Sequence, residues 1–158
     1  MTNSDGMQTA LDNFSKLCAV LDDNKIKYEK NQDELSVHFL VKGKELPAEI
    51  LIKFNPQLEL LTLYSPLPFT VKEENRKSAA VGVARVNFGM PDGNFDFNYS
   101  TGKIVFRMTA GIANSILGKD AFEYVLFTAI QIAEEYGEKL LTVCEKNMSV
   151  DQICNFIG

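Results

Sequence analysis

The chain has one histidine, three cysteines and no long uncharged apolar run, and each scarcity removes a class of function. With His38 alone, a metal site built from several imidazoles is impossible, and a histidine-based catalytic triad would rest on that single residue. Cys18, Cys144 and Cys154 are odd in number and have no close pairs. That pattern argues for reduced thiols in a cytosolic protein and not for a disulfide framework. No uncharged apolar stretch reaches the roughly 18 residues needed to span a bilayer, so no membrane association is expected. The opening "MTNSDGMQTALDNF" lacks the cationic start and apolar run of a secretory signal. Positive charge is also scarce: 16 Lys and Arg against 21 Asp and Glu give a net charge of −5, the wrong sign for general nucleic-acid binding. The basic residues that do cluster (Lys25, Lys27, Lys30; Lys72, Arg76, Lys77) are interleaved with acids, as on a solvated face.

What is present is an ordinary globular composition, 46% apolar and 23% charged over 158 residues, enough for a single domain (1–158) with a real core. Residues 7–24 read as an amphipathic helix, with Met7, Leu11, Phe14, Cys18 and Leu21 at helical spacing and Ser4 or Asp5 able to cap it. Strands follow. "YEKNQDELSVHFLVKG" forms two short strands around Asn31-Gln32-Asp33, with Leu35, Val37, Phe39 and Val41 on one face. "AEILIKF" alternates Ile50, Ile52 and Phe54, and "LELLTLY" is the fourth run, which Pro66 and Pro68 are expected to end. Thr70 and Glu73 fit a capping box opening a helix to about Asn87, with small residues on one face and Gly89 and Pro91 beyond its end. A hairpin, Phe95–Met108, and a looser linker come next. A long helix from near Asp120, with Asp120 and Glu123 as its candidate cap, and a short one capped by Ser149 and Gln152 close the chain. This order (α-β-β-β-β-α-β-β-α-α) predicts one α+β domain, an antiparallel sheet of about five to six strands flanked by helices.

Catalytic chemistry finds no foothold. The turn "STGK", residues 100–103, suggests a phosphate loop, but that motif needs a first glycine where Phe97 stands and a Ser or Thr where Ile104 stands, and it must lead into a helix. Gly118-Lys119 fails likewise at Ala113. Gly102 instead supplies a positive φ in a hairpin bend. His38 alternates onto a polar strand face with Glu34 and Ser36. Glu134, Glu135 and Glu138 lie on one helix with no matching Glu-x-x-His on another, and Asp92 and Asp96 lack the calcium-loop series. Aromatic strands such as "FDFNY" could stack bases, but the RNA-recognition signature and the charge are both absent. No catalytic, cofactor-binding or metal-binding residue is assigned, and no cofactor is implied.

The strands carry more apolar residues than one core face needs. Leu40, Leu51, Leu61 and Leu63, with Val105, are expected on the second face of the sheet, and each leucine left in water forgoes roughly 1.5–3 kcal/mol. Their cover could be the N-terminal helix, the C-terminal helix or another chain. Together with the small-residue helix (Ala79, Ala80, Val83) they are the candidate protein-contact residues. The expected activity is non-enzymatic protein interaction, with a protein partner or a second copy as a homodimer. The alternative is a small-ligand or enzymatic pocket between sheet and long helix near Phe106, Met108 and Phe122.

The second half, about Ala79 to Gly158, resembles the YbjN-like bacterial domain, a sensory-transduction regulator class with the fold of type III secretion chaperones. The likeness rests on "ARVNF", on the hairpin "GNFDFNYSTGKIVFRM", on "FEYVLFTAIQIAEEYGEKLLTV" and on the capped "NMSVDQICNFIG". The first half matches in element order alone. Relatives often carry prolines after the Glu-Tyr of the long helix, where this chain has Gly137. The resemblance implies a helix–sheet–helix domain that binds proteins, often dimerises and has no active site to transfer; with the reduced thiols and the absent signal, a cytoplasmic location is expected.

Overall fold

The structure, a computed structural model, describes residues 3–146 and 148–158, with side chains from Asp5 onward. Its elements are α1 (Asn3–Asp23), β1 (Glu29–Asn31), β2 (Ser36–Val41), β3 (Ala48–Asn55), β4 (Leu60–Thr70), α2 (Arg76–Gly89), β5 (Asn94–Asn98), β6 (Lys103–Gly111), α3 (Lys119–Glu145) and α4 (Val150–Ile157). All six strands pair antiparallel in one sheet of order β1-β2-β3-β4-β6-β5. The expected element order and sheet type are observed.

One sheet face makes the core. Val37 pairs with Ile52 and Ile52 with Leu63, which pairs in turn with Met108; Phe39–Ile50 and Phe54–Leu61 flank that row. Because side chains alternate along a strand, every member of these rows points the same way, into the helical layer. Phe14 of α1 meets Phe54 edge-on at 6.1 Å, and Phe122, Leu126 and Ala129 bring α3 into the same continuous core. Helix α1 starts earlier than expected, at Asn3, so Asp5 lies inside its first turn; the Ser4 side chain falls outside the described residues. Its buried stripe is Ala10, Phe14, Leu17, Val20 and Leu21, while Met7 is left exposed at the margin. Asn13, fully buried on that stripe, is satisfied throughout: its amide donates to the carbonyls of Thr9 and Ser115, and its oxygen accepts from the Leu117 amide. One side chain thereby ties the β6–α3 connection to α1.

Three of the hairpin turns are built alike. Asn31, Asn55 and Asn98 each accept two backbone N–H groups, from the residues two and three further on, through the side-chain oxygen. The fifth residue of each, Leu35, Glu59 and Gly102, then sits at positive φ (48°, 50° and 76°). The "STGK" stretch is thus one of three asparagine-nucleated bends, and Lys103 enters a strand.

Three local expectations are corrected. Strand β4 runs through Pro66 and Pro68 to Thr70, because its pairing with β3 ends at Tyr64 and its register with β6 shifts between Pro66 and Thr70, so the missing proline donors break no ladder. Thr70 pairs with Lys103 and cannot cap a helix; a 3-10 turn, Glu73–Asn75, precedes α2 and no side chain caps it. Helix α3 likewise starts from Gly118 without a side-chain cap, and Glu123 instead accepts from Asn24. The Ser149–Gln152 capping box forms as expected, with both reciprocal bonds in place. Gly137 neither breaks nor bends α3 out of helix: its bare backbone packs against Leu67 and Leu46.

A Cβ on Gly102 would lie 2.3 Å from the Val71 carbonyl oxygen, on a backbone already left-handed. Gly102→Ala is therefore expected to destabilise the chain by about 2–3 kcal/mol, the left-handed penalty of ~1–2 kcal/mol plus the clash. Urea titration at neutral pH checks this.

Candidate interaction surface

The second face of the sheet carries a different set of rows. His38 pairs with Leu51, Leu51 with Tyr64 and Tyr64 with Arg107; Leu40 lies opposite Glu49, and Pro66 opposite Val105. The helices gather on the other side. Leu40 is 69% exposed, and Leu51, Leu60, Tyr64, Pro66 and Val105 are half-buried. Apolar side chains thus stand on β2, β3, β4 and β6, with charged side chains, Glu49 and Lys53 among them, interspersed.

That charge is paired within the face. His38 Nε2 lies 2.9 Å from Glu49, with Glu29 3.8 Å from the other ring nitrogen. Lys53 reaches Glu34 at 3.6 Å. Arg107 donates to both Asp96 oxygens, at 2.6 and 3.2 Å, and this guanidinium holds the Asp96 carboxyl below its ordinary value.

The candidate contact residues divide. Leu40 and Leu51 lie on the open face and Ala80 is half-buried on α2. Leu61 and Leu63 do not belong to the second face: they are 0% exposed in the core, opposite Phe54 and Ile52. Leu58 lies in the turn before β4, and pairing with the core-facing residues of β3 turns Leu61 and Leu63 inward, so Leu60 takes the outer position. Ala79 and Val83 are buried too, because the small-residue face of α2 looks inward. A Cβ on Gly82 would sit 3.1 Å from Val143 of α3 and 3.7 Å from Ile157 of α4. The outward side of α2 bears Ala80, Val81, Ala84 and Phe88. Phe88 is 87% exposed, under the Arg85 guanidinium at 5.7 Å. Its place off the Ala79–Val83–Val86 stripe was a signal available in the sequence.

The alternative pocket does not open at the expected place. Phe106, Met108 and Phe122 are 0–2% exposed and fill the space between sheet and α3. Among the described residues no group of three or more His, Cys, Asp or Glu could hold a metal ion, and no helix is long and apolar enough to cross a membrane. Cys18, Cys144 and Cys154 are free, and burial pushes the Cys144 thiol up to about 11.

One edge of the sheet is sealed. The Asn87 side chain, projecting from α2, accepts from the Phe95 N–H at 2.8 Å and donates to the Phe95 carbonyl at 3.0 Å. An amide placed so mimics a neighbouring strand and occupies backbone groups that edge strand β5 would otherwise offer to another chain.

The architecture is that of the YbjN-like, secretion-chaperone-like α+β domains, as the sequence resemblance implied. Two solved structures are similar to it. YbjN from E. coli, a proposed transcription regulator, matches with a TM-score of 0.62 over 82% of this chain and 91% of its own, at 9% identity. The ExsC–ExsE complex supplies a second, with a TM-score of 0.58, coverage of 80% and 92%, and 18% identity. The likeness is one of fold; no family model and no curated protein matches the chain by sequence.

Two outcomes follow from these contacts. Since the folded-state value of Asp96 lies below its ordinary 3.8, the Arg107 pair adds stability above that pH and loses it as pH falls through the lowered value. Asp96→Asn should cost ~0.5 kcal/mol at neutral pH, a figure reduced for solvent exposure, and nothing in strong acid; urea titrations across the acid range check it. Asn87→Leu should lower stability by about 1–2 kcal/mol and drive concentration-dependent association through β5, read by size-exclusion chromatography.

Proposed function

We propose that the chain is a non-enzymatic protein-interaction domain, chaperone-like or regulatory, that works in the bacterial cytoplasm and self-associates as a homodimer. The observation that carries this reading is the open second face of the sheet. Leu40 stands 69% exposed there, and Leu51, Leu60, Tyr64 and Val105 are half-buried with no helix over them. A leucine left in water forgoes roughly 1.5–3 kcal/mol, and apolar side chains gathered on an uncovered sheet face suit contact with another polypeptide. The outward side of α2, with Ala80 and Phe88, supplies a second contact surface for the dimer. The pairing of ExsC with ExsE in a structure of the same fold supports a protein partner, and the regulator assignment of YbjN supports a binding role.

Analytical ultracentrifugation tests the dimer: the wild type should sediment as two copies, and Ala80→Glu with Phe88→Glu as one, with an unchanged urea midpoint. A reduced, carboxymethylated client protein tests the sheet face. Its addition should shift the amide resonances of β2, β3 and β4, and Leu40→Glu with Leu51→Glu should abolish the shifts. A strict monomer that leaves the client unbound would refute the proposal.

A further inference from the structure

The chain contains the dipeptide Asp–Gly twice, as Asp5–Gly6 and Asp92–Gly93, and the fold treats the two differently. Asp5–Gly6 lies in the first turn of α1. Asp92–Gly93 lies in the irregular link from α2 to β5. There the Gly93 amide nitrogen sits 2.7 Å from Asp92 Oδ1, and the Tyr124 phenol of α3 donates to Asp92 Oδ2 at 2.9 Å.

We infer that Asp92–Gly93 is a self-modifying site, at which the Gly93 nitrogen closes on the Asp92 side chain to a succinimide that water reopens as isoaspartate, with Tyr124 as the positioning residue. In the ring closure the Asp92 carboxylate takes one proton from solvent, the Gly93 nitrogen bonds to Cγ, and one carboxyl oxygen departs as water with that proton and the one the nitrogen gives up. Hydrolysis returns one water: attack on the side-chain carbonyl restores aspartate, and attack on the main-chain carbonyl leaves the chain running through Cγ. Three features favour the step here. The hydrogen bond from the Gly93 N–H to Asp92 Oδ1, at 2.7 Å, holds the carboxyl group beside the nitrogen that must reach its carbon. Glycine offers no side chain to crowd the approach. The hydrogen bond from Tyr124 restricts rotation of the carboxyl away from the amide. In α1 the helical backbone must first be broken, because the five-membered ring is incompatible with helical dihedrals.

The lesion would be felt beyond the turn. Gly93 holds φ at +68° with its bare Cα against Phe106 and Met108, and β5 begins at the next residue. An extra backbone carbon at position 92 displaces that start and the Phe95 groups sealed by Asn87.

The test is incubation of the full chain at neutral pH and 37 °C, followed by tryptic mapping with isoaspartyl-methyltransferase labelling and fragmentation that places isoaspartate by residue. The expected result is isoaspartate at 92 accumulating about fivefold or more faster than at 5, with the ratio falling to about one in denaturing urea. Tyr124→Phe should slow the rate at 92 several-fold and leave that at 5 unchanged, and Asp92→Glu should abolish the signal in residues 86–103. Equal native rates at the two dipeptides, or a Tyr124→Phe rate at 92 equal to wild type, would overturn the inference.

Discussion

Burial of a single face of the sheet under the helices is the constraint on which the rest of this molecule depends. Val37, Ile50, Ile52, Phe54, Leu61, Leu63, Phe106 and Met108 share that face, and Phe14, Leu17, Phe122, Leu126 and Ala129 close it from above. Once these rows are turned inward, the period of two along each strand leaves no freedom for the other side. Leu40, Leu51, Leu60, Tyr64 and Val105 must then face out. The open face is therefore the geometric complement of the core.

The polar contacts serve the same arrangement. Asn13 ties the β6–α3 connection to α1 from inside the core, and the three asparagine-nucleated bends hold the hairpin registers by local hydrogen bonds. On the open face Lys53 and Arg107 are each paired with a carboxylate and His38 lies against Glu49, so the apolar residues are bordered by groups already engaged within the face. Such a border suits a partner met through area and shape more than through long-range attraction. At the β5 edge, Asn87 limits association by strand pairing and leaves the sheet face and the outward side of α2 as the surfaces available.

Much of this was legible in the letters. Element order, the hairpin nature of "STGK", the Ser149–Gln152 cap and the place of Leu40 and Leu51 on the second sheet face follow from alternation, turn chemistry and capping, all of which act within a few residues. The errors share one cause, which is that each involved a partner distant in the chain. Leu61 and Leu63 face inward because β3 and β6 set Leu63 beside Ile52 and Met108, and a run with leucine on both faces does not by itself say which is inside. Ala79 and Val83 look like an association surface until α3 and α4 are seen to cover them at Gly82. Thr70 reads as a cap until Lys103 takes it into the sheet.

By itself, then, the sequence determined an antiparallel α+β domain, the location of its turns and the lack of a recognisable catalytic constellation, because composition, periodicity and short-range hydrogen bonding are properties of neighbouring residues. Only the tertiary structure decided which apolar rows are core and which are surface, that β4 passes through two prolines, that the small face of α2 points inward, and that Tyr124 meets Asp92. Those outcomes depend on pairings between segments tens of residues apart, whose free energies compare whole packings and are not written in any local stretch of the chain.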